Sequence, residues 1–448
     1  MAMLDSGTAG TLSGTVRVPG DKSISHRALI VSALAVGESR IDGLLEGDDV
    51  LATAAALGAL GASVERVEPG RWSVRGAGIG GLAEPDRVLD LGNSGTSARL
   101  LLGVLGTHPL TAFLTGDASL RSRPMGRVAE PLRGMGAAVA AREGDRLPLM
   151  VTGARDPVPI EYALPVPSAQ VKSAILLAAL NTPGETTVIE PRPTRDHSEV
   201  MLRHFGVDIA VAETGAGRAI ALRGQPEIAG RAVSVPADIS SAAFPGVAAL
   251  LVPGSEVEMT DVGLNPTRTG LLDCLEAMGA EIAVDRRAAA GGEPVGRLTF
   301  RHKGPGRLRA IEVPAERAPR MIDEYPILAV AAAFAEGTTR MHGLGELRLK
   351  ESDRLAAIAG GLRAAGIAAA AEGDTLIVEG AAGRPAGGAV VDAGHDHRIA
   401  MAFLVLGLAC ERPIRVAGSE TIDTSFPGFA ETMNGLGAAI AAADEGDG

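Results

Sequence analysis

The chain has 448 residues, a length that suggests roughly three domains at about 150 residues each. Apolar residues make up 46% and charged residues 21%, the balance of a globular protein with a large core rather than a disordered chain. A net charge of −12 and an aromatic content of 2% argue against nucleic acid or an anionic membrane as partner, so any anion must be held by cations gathered locally.

In chain order, six segments share one pattern: an amphipathic helix, a terminal glycine, then a short apolar strand. They are DVLATAAALGALGASV, MGRVAEPLRGMGAAV, HSEVMLRHFGVDI, RTGLLDCLEAMGAEI, DRLAAIAGGLRAAGIAA and FAETMNGLGAAI. Their glycines are Gly61, Gly136, Gly206, Gly279, Gly366 and Gly437, separated by 75, 70, 73, 87 and 71 residues. A glycine just past a helix marks a left-handed C-terminal corner, so the chain reads as six copies of one unit. Each copy holds a second helix that is apolar nearly all round: HRALIVSALAV, TSARLLLGVLG, AQVKSAILLAAL, SSAAFPGVAALL, EYPILAVAAAFA and HRIAMAFLVLGLA. Such helices are expected to be buried on every side, with the amphipathic ones keeping a wet face. Six units divide into two domains of three, each near the size limit of a single core.

The stretch before each apolar helix is polar: GDKSISHR, GNSGTSAR, PSAQVKS, PADISSAAF, RMIDEYP and GHDHR. Helix N-termini present unpaired N–H groups and partial positive charge, which favours anions. Three such ends per domain predict a site for small, multiply anionic ligands, in a cleft that two facing domains would share. Lys22, Arg27 and Arg398 lie at these helix starts. Arg121, Arg123 and Arg127 lie in a loop stiffened by Pro124, and Lys350 and Arg354 are spaced i, i+4 as if on one helical face.

Other signals are weaker. GAGIGG, residues 76–81, matches a dinucleotide fingerprint in letters but runs into LAEPDRVLDLG instead of opening a helix, so a flexible turn is the better reading. Asp48 and Asp49 read as helix caps rather than magnesium ligands. His395, Asp396 and His397 lack a further ligand at helical spacing, so no metal is expected. Cys274 and Cys410 sit in apolar helical patterns and suggest a reducing, cytoplasmic setting. MAMLDSGTAG lacks the features of a signal peptide, and the longest apolar run, residues 399–410, is well short of the roughly 20 residues a membrane span needs.

The motifs PGDKSISHRAL, LGNSGTSARLL, GDASLRSRPMGR, PSAQVKSAILLA, PTRDHSE, MIDEYPILAVAAA, LRLKESDRL and DHRIAMAF closely resemble those of the EPSP synthase family of enolpyruvyl transferases. The resemblance covers essentially the whole chain. It implies an α/β fold, a two-domain inside-out α/β barrel of six βαβαββ-type units with the active site in the interdomain cleft. Mapped here, one domain is 1–20 plus 237–448 and the other 21–236. It also implies transfer of the enolpyruvyl group of phosphoenolpyruvate to the 5-hydroxyl of shikimate 3-phosphate, by addition and elimination, in the shikimate pathway to aromatic amino acids. No cofactor, nucleic acid or membrane partner is implied, and a monomer is expected.

Carried over residue by residue, Lys22, Ser23, Arg27, Ser168, Ala169, Gln170, Arg195, Asp323 and Lys350 would contact shikimate 3-phosphate. Lys22, Gly95, Arg123, Gln170, Arg354 and Arg398 would bind phosphoenolpyruvate. Asp323 would be the base at the 5-hydroxyl, besides capping the helix that follows it. Glu351 would exchange protons with the methylene carbon, and Lys22 would assist. Fork-shaped arginines suit a pair of phosphates and carboxylates. The herbicide glyphosate would occupy the phosphoenolpyruvate site, and Gly95 predicts sensitivity to it. Two departures resemble the divergent class II subgroup: Thr424 stands where many members have lysine, and Glu346-Leu347 where some have Asn-Trp. The alternatives are a UDP-N-acetylglucosamine enolpyruvyl transferase, which usually has Lys-Asn at Lys22-Ser23 and a reactive cysteine in the GDASLRSRP loop, or a non-catalytic anion-binding protein of the same fold.

Overall fold

The computed structural model describes residues 2–304, 308–381 and 383–443. The chain divides into two compact units: Met1–Pro19, Pro236–Ala288 and Pro294–Gly448 form the first, and Gly20–Val235 with Ala289–Glu293 the second. The short stretch Ala289–Glu293, expected within the first domain, groups with the second instead. It is the turn of a hairpin whose Gly291 and Gly292 approach Ser234, Val200 and His204.

Among the described residues there are six four-stranded sheets, three in each unit. Each contains one parallel pair. In the second unit these join Arg40–Asp42 to Ala232–Ser234, Leu89–Asp90 to Leu114–Thr115, and Glu161–Ala163 to Thr187–Ile189. In the first they join Ser13–Val16 to Glu256–Met259, Glu312–Val313 to Arg340–Met341, and Val390–Asp392 to Arg415–Ala417. The N-terminal strands are what tie residues 1–19 to the C-terminal half. Met3–Ser6 runs antiparallel between Ile414–Ala417 and Ile440–Ala442.

Helix ends follow the glycine pattern. The amphipathic helices Asp48–Ala59, Gly126–Gly134, His197–His204, Gly270–Ala277, Arg354–Ala364 and Phe429–Gly435 are each followed closely by one of the six glycines, at φ of 81° to 107°. Beyond each glycine the next N–H reaches back five residues to a helix carbonyl, as Ala62 does to Leu57 and Val207 to Leu202. That is the Schellman corner, and side chains with a Cβ are disfavoured there.

The apolar helices fill the middle of each unit. Every residue of Ile239–Leu251, Tyr325–Ala333 and His397–Ala409 is buried, and these three pack on one another. In the second unit Gly95–Leu105 packs against both Lys22–Ala33 and Ala169–Leu180. Each unit keeps its own apolar core. Sheets and amphipathic helices surround these inner helices, the reverse of a barrel with strands inside. At roughly 1.5–3 kcal/mol for each large apolar side chain buried, the inner helices supply a substantial share of the driving force, with strands and outer helices supplying the rest.

Two inner helices of the second unit approach closely at Gly103, where a Cβ would lie 2.4 Å from the Ala174 carbonyl oxygen and 2.7 Å from its Cα. Backbone cannot swing aside as a side chain can. Gly103→Ala is therefore expected to cost about 1–3 kcal/mol in urea unfolding. A change under about 0.5 kcal/mol, the usual level for a neutral surface substitution, would contradict this packing.

Candidate functional site

Five of the six inner helices begin at a residue whose own side chain caps them. Asp21 accepts from Ile24 N, Ser94 from Ser97 N, Ser168 from Val171 N, Asp238 from Ser240 N and Asp396 from Arg398 N. The expected bare helix ends are thus partly satisfied, three of them by carboxylates. Positive charge at these ends comes chiefly from side chains.

In the second unit, the Lys22–Ala33 helix carries Lys22 and Arg27 on its first turns. Lys22 Nζ lies 3.0 Å from Asp49 Oδ2. Asp49 is therefore an ion-pair partner rather than a cap, and Gly47 occupies the N-cap position of its helix without a side-chain bond. Arg27 is buried and donates from Nε to Ser198 Oγ at 2.8 Å, from Nη2 to Ser173 Oγ at 2.7 Å and from Nη1 to the Ser23 carbonyl at 2.9 Å. Burial pulls its pKa down to about 10, with the neighbouring cation Arg195 adding to the fall and Glu199 and Asp21 opposing it. Buried His26 sits well below the usual imidazole range, through burial and the nearby charges of Lys22 and Arg27. Its Nδ1 meets Thr53 Oγ1, which meets Ser97 Oγ, which meets Ser94 Oγ. This neutral hydroxyl chain links the helix carrying Lys22 to the helix that opens at Gly95.

Around Gly95, Arg123 is held by Asn93 Oδ1 at 2.7 Å and Ser119 Oγ at 2.9 Å. A Cβ on Gly95 would stand 3.2 Å from Arg123 Nη1 and 2.7 Å from Arg99 Nη1. Gln170 Nε2 donates to Thr96 Oγ1 at 3.1 Å, which brings the start of Ala169–Leu180 beside that of Gly95–Leu105. Ser168 and Ala169 form the cap and first position of that helix. Arg121 and Arg127 are exposed, unlike half-buried Arg123.

In the first unit one guanidinium gathers three carboxylates. Arg354, only 1% exposed, donates from Nε to Asp396 Oδ2 at 2.7 Å, from Nη1 to Asp323 Oδ1 at 3.1 Å and from Nη2 to Glu351 Oε2 at 2.5 Å. Burial alone would lower its pKa, but Asp396, Glu351 and Asp323 outweigh that and hold it above the ordinary arginine value. Asp323 also meets Lys350 Nζ at 3.8 Å and Arg398 Nε at 3.9 Å, while the Asp323 carbonyl accepts from Arg398 Nη1 at 3.4 Å. Three cations converge on this carboxylate.

Two local expectations are corrected here. Asp323 does not cap the following helix, because Glu324 holds the N-cap position and makes no capping bond. Lys350 and Arg354 do not share a helical face. Lys350 follows the 3-10 turn Gly345–Leu349, and Asp353 caps a new helix that begins at Arg354. They meet through Asp323 instead.

Comparison with known proteins decides the family. The EPSP synthase (3-phosphoshikimate 1-carboxyvinyltransferase) family matches residues 7–433. The chain belongs to this family. It is 63% identical over 438 residues to the 3-phosphoshikimate 1-carboxyvinyltransferase of Paramagnetospirillum magneticum, covering 98% of each chain. It is 61% identical to that of Acidiphilium cryptum, covering 97% of each. Among solved structures, EPSP synthase from Acinetobacter baumannii superposes with a TM-score of 0.88 at 43% identity, covering 99% of this chain and 100% of that one. The enolpyruvyl transferase NikO from Streptomyces tendae, at 20% identity and a TM-score of 0.75, shares the fold. The fold is the two-domain inside-out α/β barrel of the enolpyruvyl transferases.

Within this EPSP synthase family member, the expected site residues fall into two groups. Asp323, Lys350, Glu351, Arg354 and Arg398 are in direct contact in the first unit. Lys22, Ser23, Arg27, Gly95, Arg123, Ser168, Ala169, Gln170 and Arg195 lie in the second, around the starts of its inner helices and the segment before His197. Among the described residues no three His, Cys, Asp or Glu side chains are placed to hold a metal. No helix among them is long and apolar enough to cross a membrane. Thr424 hydrogen-bonds the Thr421 carbonyl at 2.7 Å and lies 3.4 Å from His397 Nδ1.

Sequence reading missed the partners Asp49, Asn93, Asp396 and Arg268. Arg268 is buried against Asp238 and Ser240 Oγ, and Ser240 hydrogen-bonds Glu324. It also missed Lys172, although a lysine inside an all-apolar helix was a visible signal that a buried counter-charge must exist.

Removing the shared cation leaves three carboxylates without their common partner. Arg354→Met is expected to lower stability by about 3–5 kcal/mol in urea unfolding, the usual effect of breaking a buried ion pair from one side. A loss below about 1 kcal/mol, the level of an exposed pair, would contradict the clamp.

Proposed function

We infer that this protein transfers the enolpyruvyl group of phosphoenolpyruvate to the 5-hydroxyl of shikimate 3-phosphate and releases phosphate. The reading rests on the family match across residues 7–433 together with one observation: Asp323 and Glu351, two carboxylates suited to proton transfer, are held side by side on Arg354. The chemistry needs two separate proton positions, one at the hydroxyl and one at the vinyl carbon.

In this scheme Arg27, Arg195, Lys22, Ser23, Ser168, Ala169, Gln170, Lys350 and Asp323 hold shikimate 3-phosphate. Lys22, Gly95, Arg123, Gln170, Arg354 and Arg398 hold phosphoenolpyruvate. Asp323 takes the 5-hydroxyl proton as that oxygen bonds to C2 of phosphoenolpyruvate, and Glu351 delivers a proton to C3. The adduct carries both oxygens on C2. Glu351 then takes a proton back from C3, the C2=C3 bond reforms and the C2–O bond to phosphate breaks. The phosphate leaves with that electron pair, and the proton on Asp323 passes to it. Lys350, Arg354 and Arg398 surround Asp323, so negative charge on this base is stabilised between turnovers.

Phosphate release in a coupled assay is expected with shikimate 3-phosphate as acceptor and absent with UDP-N-acetylglucosamine. The reverse preference would overturn the assignment. A monomeric, cytoplasmic enzyme is the form proposed.

A second prediction concerns glyphosate, which is longer than phosphoenolpyruvate. An alanine methyl at Gly95 would stand against the guanidinium ends of Arg99 and Arg123, which must shift to admit it. With about 1–3 kcal/mol for an inserted methyl, Gly95→Ala is expected to raise the glyphosate inhibition constant about tenfold or more. The KM for phosphoenolpyruvate is expected to rise less. Equal shifts in the two constants, or native tolerance at millimolar glyphosate, would contradict this.

A further inference from the structure

The second unit contains a buried ionic knot that the reaction does not use directly. Lys172 is the fourth residue of the largely apolar Ala169–Leu180 helix and has no exposed side-chain area. Its Nζ is 2.8 Å from Glu199 Oε1 and 3.1 Å from Glu190 Oε2, and both carboxylates are equally buried. Arg218 Nε, 3.6 Å from Glu190 Oε1, adds a second cation. Burying such charges costs several kcal/mol per ion before their mutual attraction is counted, and an apolar side chain of similar length would serve this core as well or better. The knot therefore calls for a role in placement.

Two arms leave it. Ser173 follows Lys172 on its helix, and Ser198 precedes Glu199 on the facing one. Their hydroxyls hydrogen-bond each other at 2.7 Å and accept from Arg27 Nη2 and Nε. The Lys172–Glu199 pair thus fixes the spacing of the two oxygens that aim Arg27. On the other arm, Glu190 Oε2 accepts from Thr194 N at 3.1 Å and Thr194 Oγ1 at 2.7 Å, which anchors the chain at the residue before Arg195.

We propose that Lys172 is a positioning residue that sets both guanidiniums of the 3-phosphate subsite, Arg27 through Ser173 and Ser198, and Arg195 through Glu190 and Thr194. The proposal rests on the reading above that Arg27 and Arg195 hold the phosphate of shikimate 3-phosphate.

Steady-state kinetics with both substrates test it, on variants checked for folding by circular dichroism. Lys172→Gln is expected to raise the KM for shikimate 3-phosphate by at least about tenfold, the usual scale for losing a supporting contact behind a ligand-binding group. The KM for phosphoenolpyruvate is expected to stay within about twofold, the scatter tolerated for a site not touched. Lys172→Arg restores most of the loss. Thr194→Val keeps every charge of the knot, raises the same KM to a smaller degree, and adds little to Lys172→Gln because both act through Glu190. If Lys172→Gln does not fold, Thr194→Val decides by the same selective rise. Unchanged KM for shikimate 3-phosphate in a folded variant, or equal rises in both KM values, overturns the proposal. Arg27→Gln and Arg195→Gln test the subsite assignment itself. If they leave the KM for shikimate 3-phosphate unaltered, the subsite assignment falls and the proposal with it.

Discussion

A helix buried on every side has only its ends to offer to solvent or ligand. Six such helices fill the centres of the two units, and their middles are almost wholly apolar. Charge is therefore gathered in the first two turns and in the short segments before them. That is where Lys22, Arg27, Asp323 and Arg398 stand, with Gly95 and Gln170 beside them. Lys172 differs in having no exposed side-chain area, and its two buried carboxylate partners show what full burial of a cation requires.

Packing positive charge densely at these ends would be self-defeating without counter-ions, because like charges in a low-dielectric setting repel strongly. The structure answers with acids. Asp49 pairs Lys22, and Asp396, Asp323 and Glu351 share Arg354. In the first unit the counter-ions are themselves the groups proposed to move protons. A carboxylate from phosphoenolpyruvate that reaches Arg354 enters a set of acids already competing for the same guanidinium. In the proposed scheme, substrate binding and proton transfer at Asp323 and Glu351 would be coupled through this one side chain.

Much of the architecture was legible because its signals are local. Gly61, Gly136, Gly206, Gly279, Gly366 and Gly437 mark helix ends through a backbone requirement that depends on a few neighbouring residues, and all six adopt it. The all-round apolarity of HRIAMAFLVLGLA likewise announces its own burial. The pairings were not legible, since Lys22 meets Asp49 and Arg354 meets Asp396 only after sheets and helices bring distant segments together. Local rules also misled in two places. Asp323 looks like a cap but is drawn to Arg354, a stronger partner than a helix N–H. Lys350 and Arg354 look like one helical face, but Asp353 starts a new helix between them. Motif resemblance supplied the chemical identities, while the geometry supplies the partners that tune them.

The central claim is that the two carboxylates on Arg354 divide the proton work, Asp323 at the hydroxyl and Glu351 at the vinyl carbon. Turnover in deuterated water tests it most directly, with deuterium read by mass spectrometry at the C3 methylene of product and recovered phosphoenolpyruvate. The native protein is predicted to place solvent deuterium there, since C3 becomes a methyl group in the adduct and returns one hydrogen to Glu351. Glu351→Gln is predicted to abolish that incorporation together with turnover. Deuterium entering C3 at the native rate in Glu351→Gln, or product formed by the native protein with no deuterium at C3, would contradict the account.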